Sequence, residues 1–228
     1  MYSLTVLVPA FNEEETIYQS LESLSQIDIF EKALVLNDGS TDSTINEVNK
    51  IIDIDKRFEL INFQSNNGKG AVLQNSKNFI DTDYVVIHDA DLEYDPKDLI
   101  ELYDHINGKN IILGSRFIGD KERLNGYLRT NIANRVMSLF FSIVNYKKCT
   151  DIATCYKMIP SDFFTKVNFK EKGFSIEVEM LSKFLKYSRD VVEVPISYSG
   201  RSYEEGKKIK IRDGFLYLIN TLKYKFLN

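Results

Sequence analysis

The chain has 228 residues, 43% hydrophobic and 27% charged, with a formal net charge of −4. Those values suit one globular domain with a full core and leave no room for a second independent one. The charge is uneven: residues 1–109 hold 21 Asp/Glu against 8 Lys/Arg and residues 110–228 hold 12 against 21. Either an acidic half suited to a metal precedes a basic half suited to an anionic partner, or the pattern reflects only solvated faces.

The first 115 residues alternate short β-branched runs with helical patterns, which predicts an α/β fold on a mostly parallel sheet. Strands are expected at 4–8, 33–36, 59–63, 84–88 and 110–113, with helices at 14–24, 43–52, 71–80 and 96–106. The strand ends then carry Pro9-Ala10-Phe11-Asn12, Asn37-Asp38-Gly39-Ser40, Asn66-Asn67-Gly68-Lys69-Gly70, Asp89-Ala90-Asp91 and Gly114-Ser115-Arg116. Ligands of such sheets bind beyond the carboxyl ends of the strands, so five polar or glycine-rich segments converge on one edge. In the second half, 125–144 reads as a long helix with an apolar stripe of Val136, Leu139, Phe140, Ile143 and Val144. A helix at 175–185, a strand at 191–196, a basic loop and a helix at 213–226 follow. Cys149 and Cys155 lack the spacing of a zinc site and read as reduced thiols. No run approaches a transmembrane span and no signal peptide opens the chain, which predicts a cytoplasmic protein whose membrane contact would be peripheral.

Asp89 and Asp91 leave an apolar strand, where both can turn toward a hard cation. His88 should point away from them into packing, by strand alternation, and His105 should lie at a helix end on the surface. Gly68 and Gly70 read as turn residues or as part of a binding loop.

The ordered set of Val8-Pro9-Ala10-Phe11-Asn12-Glu13, Asn37-Asp38-Gly39-Ser40-Thr41-Asp42, Gly68-Lys69-Gly70, Asp89-Ala90-Asp91 and Gly114-Ser115-Arg116 resembles family 2 glycosyltransferases of the GT-A fold. Asp151-Ile152-Ala153-Thr154-Cys155-Tyr156-Lys157, Glu177-Val178-Glu179, Glu193-Val194-Pro195-Ile196 and the 201–209 segment resemble the polyprenyl-phosphate branch, which includes dolichol-phosphate mannose and glucose synthases. The resemblance implies one GT-A domain over 1–228, with a Rossmann-like donor and metal half at 1–115 and a basic acceptor half at 116–228. It places Pro9, Ala10, Phe11, Glu13 and Asp38 at the nucleoside, Lys69 near the diphosphate, Asp89, Asp91 and Glu93 around Mg²⁺ or Mn²⁺, and Ala90 with Asp89 and Asp91 among the donor-binding residues. Asn37 stands where many relatives have the first Asp of an Asp-Asp-Gly-Ser motif, which leaves the base open; a UDP-sugar is favoured and GDP-mannose kept.

Catalysis would rest on Asp91, Arg116 and Arg129. By the same resemblance Arg116 and Arg129 hold the acceptor phosphate, and Arg201 with Lys207 closes over the diphosphate. A phosphate acceptor, already ionised near neutral pH, needs positive charge rather than a general base. The competing readings are a soluble saccharide or hydroxyl acceptor, with Glu177 or Glu179 as base, and a non-catalytic nucleotide-sugar-binding protein. Expected partners are the donor, a polyprenyl phosphate and a peripheral membrane surface, without nucleic acid and with a homodimer left open. The helices at 125–144 and 215–226 would either lie on a bilayer or pack on the core or on a second copy.

Overall fold

Strands buried on both faces carry near-continuous apolar runs, and the first half of the chain supplies them. The computed structural model describes residues 1–124, 128–201 and 211–227. In chain order the elements are β1 (Leu4–Ala10), α1 (Ile17–Ser25), β2 (Lys32–Asn37), α2 (Thr44–Ile54), β3 (Phe58–Asn62), α3 (Lys69–Asn75) and β4 (Tyr84–Ile87). Then come α4 (Asp98–Asp104), β5 (Ile111–Ser115), β6 (Arg123–Leu124), α5 (Leu128–Asn145), β7 (Lys157–Pro160) and α6 (Ser161–Lys166). The chain finishes with α7 (Ile176–Tyr187), β8 (Val191–Pro195), β9 (Tyr198–Ser199) and α8 (Ile211–Phe226).

Among the described residues, one seven-stranded sheet runs in the order β3-β2-β1-β4-β7-β5-β8, and β6 pairs with β9 in a two-stranded ribbon. The expected α/β class and mostly parallel sheet are therefore present. Ala10 lies opposite Asn37, Asn37 opposite Asn62, and Leu7 opposite Ile87. That register brings the carboxyl ends of the first strands to one edge.

β7 runs antiparallel to both β4 and β5 and separates them. Its sequence gives no strand signal, because it is four residues long, ends on Pro160 and begins with a fully buried lysine, Lys157. The helix expected at 71–80 instead starts at Lys69 and tightens into a 3₁₀ turn over Ser76–Phe79, where the Ser76 hydroxyl donates to the Leu73 carbonyl. The helix expected from residue 14 begins at Ile17, since Glu14 instead accepts the Ser43 amide.

The apolar stripe of α5 is divided: Val136, Leu139 and Ile143 are exposed, Phe140 and Val144 are half-buried, and Phe141 faces the core with Ser138 and Asn145. The long helix thus turns an aliphatic row outward and a mixed aromatic and polar face inward.

Gly70 sits where α3 meets the 171–173 segment. Its amide donates to the Lys172 carbonyl at 2.7 Å, and a Cβ there would collide with the Glu171 carbonyl oxygen. Gly70→Ala should therefore cost about 1–3 kcal/mol through overpacking against a backbone that cannot swing aside. Urea denaturation of the variant checks this; an unchanged midpoint would mean that the two segments do not pack in solution.

Candidate active site

The loops after β1 and β2 are stitched together. Asn12 adopts φ +50, donates its amide to Ser40 Oγ and accepts the Thr41 amide, while the Glu13 amide donates to Thr44 Oγ1. Asp38 is buried and accepts the amides of Asn67 at 2.8 Å and Gly68 at 2.7 Å. It therefore anchors the β3–α3 loop as well as lining the site. Gly68 follows with φ +94, and a Cβ there would lie 2.5 Å from the Lys172 carbonyl oxygen. The Asn37 amide donates to Asn62 Oδ1, and its own oxygen accepts the Ser40 amide. Buried in this way, Asn37 is absent from the pocket wall and holds the turn after β2.

These loops enclose a cavity of about 240 Å³. Of the expected site residues, Pro9, Ala10, Phe11, Glu13, Asp38, Lys69, Asp89, Asp91, Glu93, Arg116 and Arg201 all line it. Ala90 does not; it is buried in the core. Arg129 is exposed on the first turn of α5, away from the wall. Lys207 lies outside the described residues. Glu177 also lines the cavity, as do the aromatic side chains of Tyr94, Phe174, Tyr198 and Tyr217. Sequence reasoning passed over them because an aromatic residue carries no directional motif. His88 and His105 sit as expected: His88 is buried between Ser20 and Tyr156, and His105 ends α4 at the surface. Burial depresses the His88 pKa to about 4, so its ring stays neutral beside the acidic pair.

The charges are linked. Lys69 Nζ lies 2.7 Å from Asp89 Oδ1 and 2.8 Å from Glu177 Oε1, and Lys157 Nζ lies 2.7 Å from Glu177 Oε2. Glu177, Lys69 and Lys157 are all nearly inaccessible to solvent. Burial alone would raise the Asp89 carboxyl, but the Lys69 ammonium overcomes it and holds the group below the usual carboxylate range. Lys69 thus braces Asp89 from behind instead of standing free for a diphosphate. Asp91 is pushed up to about 7 by burial and by the charges of Asp89 and Glu93, which the Arg201 guanidinium only partly offsets. Arg201 Nη2 lies 2.8 Å from Asp91 and Nη1 3.4 Å from Glu13.

Arg116 was expected to offer a two-pronged face to a phosphate. Instead its Nε and Nη2 hold Asp151 at 2.7 and 2.8 Å, with the guanidinium 4.8 Å from the Tyr198 ring centre. Glu177 and Glu179, the two candidate bases, are both engaged. Glu179 accepts the amides of Lys170 and Glu171 and pairs with Lys183.

A cation fits the acidic pair by donor chemistry and by charge. Two carboxylates that repel one another suit a Mg²⁺- or Mn²⁺-type ion that takes its remaining ligands from substrate phosphate, and such an ion would take the place of the Arg201 guanidinium at Asp91. Glu93 does not join them, because it accepts the Tyr198 hydroxyl and the Arg201 amide. Among the described residues no three Asp, Glu, His or Cys side chains converge as a metal cluster.

The profile of Glycosyl transferase family 2 matches residues 5–167. An undecaprenyl-phosphate mannosyltransferase of Micrococcus luteus is 23% identical over 207 residues, covering 88% of this chain and 85% of the relative. A poly-beta-1,6-N-acetyl-D-glucosamine synthase of Staphylococcus aureus is 26% identical, covering 97% of this chain and 58% of the relative. Glucosyl-3-phosphoglycerate synthase from Mycobacterium tuberculosis, solved with UDP, shares the fold with a TM-score of 0.76 at 17% identity, across 100% of this chain and 81% of that one. The same enzyme with Mn²⁺, UDP-glucose and phosphoglyceric acid gives 0.73 at 18% identity, across 98% and 79%.

Two outcomes test this site. Because Asp91 is about half protonated near pH 7, a bound cation must displace that proton, and affinity should rise with pH by at most about tenfold per unit until pH ~8. Calorimetry of Mn²⁺ binding in buffers of different ionisation enthalpy reads the released proton directly; no release would contradict the crowding of the pair. Separately, Glu177→Ala leaves Lys69 and Lys157 short of their shared anion and should destabilise the fold by about 3–5 kcal/mol. Equilibrium unfolding measures it, with Glu177→Gln expected to lose less.

Proposed function

This chain belongs to glycosyl transferase family 2, and we propose that it transfers a hexosyl unit, with inversion, from a nucleotide-diphosphate sugar to a polyprenyl phosphate. The observation that carries the acceptor reading is the state of the carboxylates: both candidate bases are bound by lysines or backbone amides. A hydroxyl acceptor needs its proton removed, whereas a phosphate monoester is already an anion near neutral pH. The Micrococcus relative, named for an undecaprenyl-phosphate acceptor, supports the same class. A uridine donor is favoured by the neighbour solved with UDP, and a mannosyl donor stays open through the Micrococcus relative.

In this reading residues 1–115 form the donor side and 116–228 the acceptor side. Pro9, Phe11, Glu13 and Asp38 wall the nucleoside end. Asp89 and Asp91 would hold Mg²⁺ or Mn²⁺, which when bound supplies Lewis-acid stabilisation of the leaving diphosphate. Lys69 fixes the Asp89 carboxylate, Arg201 carries positive charge to the pocket mouth, and Arg116 forms a cationic wall held in place by Asp151. Arg129, exposed on α5, is the cation for an incoming acceptor phosphate.

Steady-state transfer from UDP- and GDP-hexoses to a short-chain polyprenyl phosphate, set against an oligosaccharide acceptor, tests the proposal. Turnover confined to the uncharged acceptor would reject the phosphate reading. Arg129→Ala should lower transfer to the polyprenyl phosphate roughly 10- to 150-fold, the scale of one charge-assisted hydrogen bond, with donor affinity unchanged. Arg129→Lys should recover part of it, since the charge persists without the two-pronged geometry.

A further inference from the structure

Helices α5 and α8 lie side by side and run in the same direction. Met137, midway along α5, meets Gly214 near the start of α8, and Lys225 sits 5.4 Å from the Tyr146 ring centre near their ends. Each turns an aliphatic and aromatic row outward at helical spacing: Ile132, Val136, Leu139 and Ile143 on α5, and Phe215, Ile219, Leu222 and Phe226 on α8. These side chains are 44% to 70% exposed. Their inner faces mix Phe141, Tyr217 and Tyr224 with buried polar side chains, Ser138 and Asn145 on α5 and Asn220 and Thr221 on α8. The two neighbouring outward rows form one continuous apolar face, which a protein surrounded only by water does not ordinarily present.

Charge identifies the occupant. From residue 123 to 150 the sequence has no Asp or Glu but carries Arg123, Arg129, Arg135, Lys147 and Lys148; after Asp213 the chain again has none to residue 228 and carries Lys225 and Lys223, the latter paired with Glu171. This acid-free stretch belongs to a chain with 33 acidic residues. We propose that the α5–α8 face docks in the plane of a lipid leaflet rich in anionic headgroups, its aliphatic rows sunk below the headgroups and its lysines and arginines among them. A second copy fits less well, because face-to-face packing would set two basic rims against each other. The contact would be peripheral, since no helix among the described residues is long and apolar enough to cross a membrane.

The same helix joins this surface to the pocket. Tyr217, on the buried side of α8, lines the cavity, while Leu216 and Ile219 next to it face outward. The cavity wall and the apolar face are therefore separated by about one helix diameter, roughly 10 Å. Docking rests on the exposed face alone; its use in presenting a lipid-borne phosphate rests on the proposed function.

Flotation of the full chain with vesicles of phosphatidylcholine containing about 30% phosphatidylglycerol tests the docking, beside vesicles of phosphatidylcholine alone. The wild type should float with the anionic vesicles and be released by raised salt. Ile143→Glu combined with Ile219→Glu should reduce the bound fraction at least roughly tenfold. UDP-induced thermal stabilisation should be unchanged in that variant, showing that the fold and pocket are intact. Equal binding to neutral vesicles, equal binding by the variant, or a wild-type dimer in lipid-free sedimentation that the variant dissociates would each overturn the proposal. Transfer to a water-soluble short-chain polyprenyl phosphate separates the two readings. The variant keeps that activity if only docking is lost, whereas a wild type that docks but never uses the phosphate acceptor defeats the functional reading alone.

Discussion

Carboxylates crowd the end of β4, and their repulsion organises what surrounds them. Asp89, Asp91, Glu93 and Glu13 all border one cavity, and such a cluster survives in a partly desolvated place only where positive charge is built in. Arg201 supplies it from the mouth and Lys69 from beneath. A buried lysine brings its own demand, met by Glu177, which in turn demands Lys157. Lys157 is the first residue of β7, the antiparallel strand inserted between β4 and β5. The electrostatics of the site therefore reach into the strand order of the sheet.

That dependence also marks where sequence reading succeeds and fails. The strands β1, β2, β4 and β5 were legible because double burial writes them as apolar runs, edge strand β3 by its short apolar pattern, and the loops at their ends because turns and acidic pairs use few residue types. β7 was not, since a lysine neutralised by a distant glutamate looks like a surface residue until the partner is in view. Lys69 was expected near a diphosphate and lines the pocket, but its pairing with Glu177 was not legible, because that partner sits on α7, more than a hundred residues away. Arg116 shows the same effect, because Asp151 is invisible as its partner until β5 and the 150–156 segment meet.

The outward aliphatic rows of α5 and α8 teach the converse lesson. The periodicity of α5 was visible in the sequence, but periodicity reports only that a helix has two faces. Which face meets the core is decided by what the core offers, and here it offers hydrogen-bond partners. The Ser142 hydroxyl donates to the Cys149 carbonyl, and the Ile152 amide donates to Ser138 Oγ. Polar side chains with buried partners can turn inward without penalty, which frees the aliphatic row for another environment.

The Lys157–Glu177–Lys69–Asp89 chain of charges also limits how this sequence can drift. Neutralising any one member strands its neighbour in a medium that does not solvate it, so a lineage cannot change them one at a time without passing through a weakened protein. Tolerated replacements should arrive in charge-balanced pairs, and homologues that diverge here should do so jointly at positions drawn from α3, the loop after β4, β7 and α7. Four segments spread along the chain are in that sense constrained as one unit.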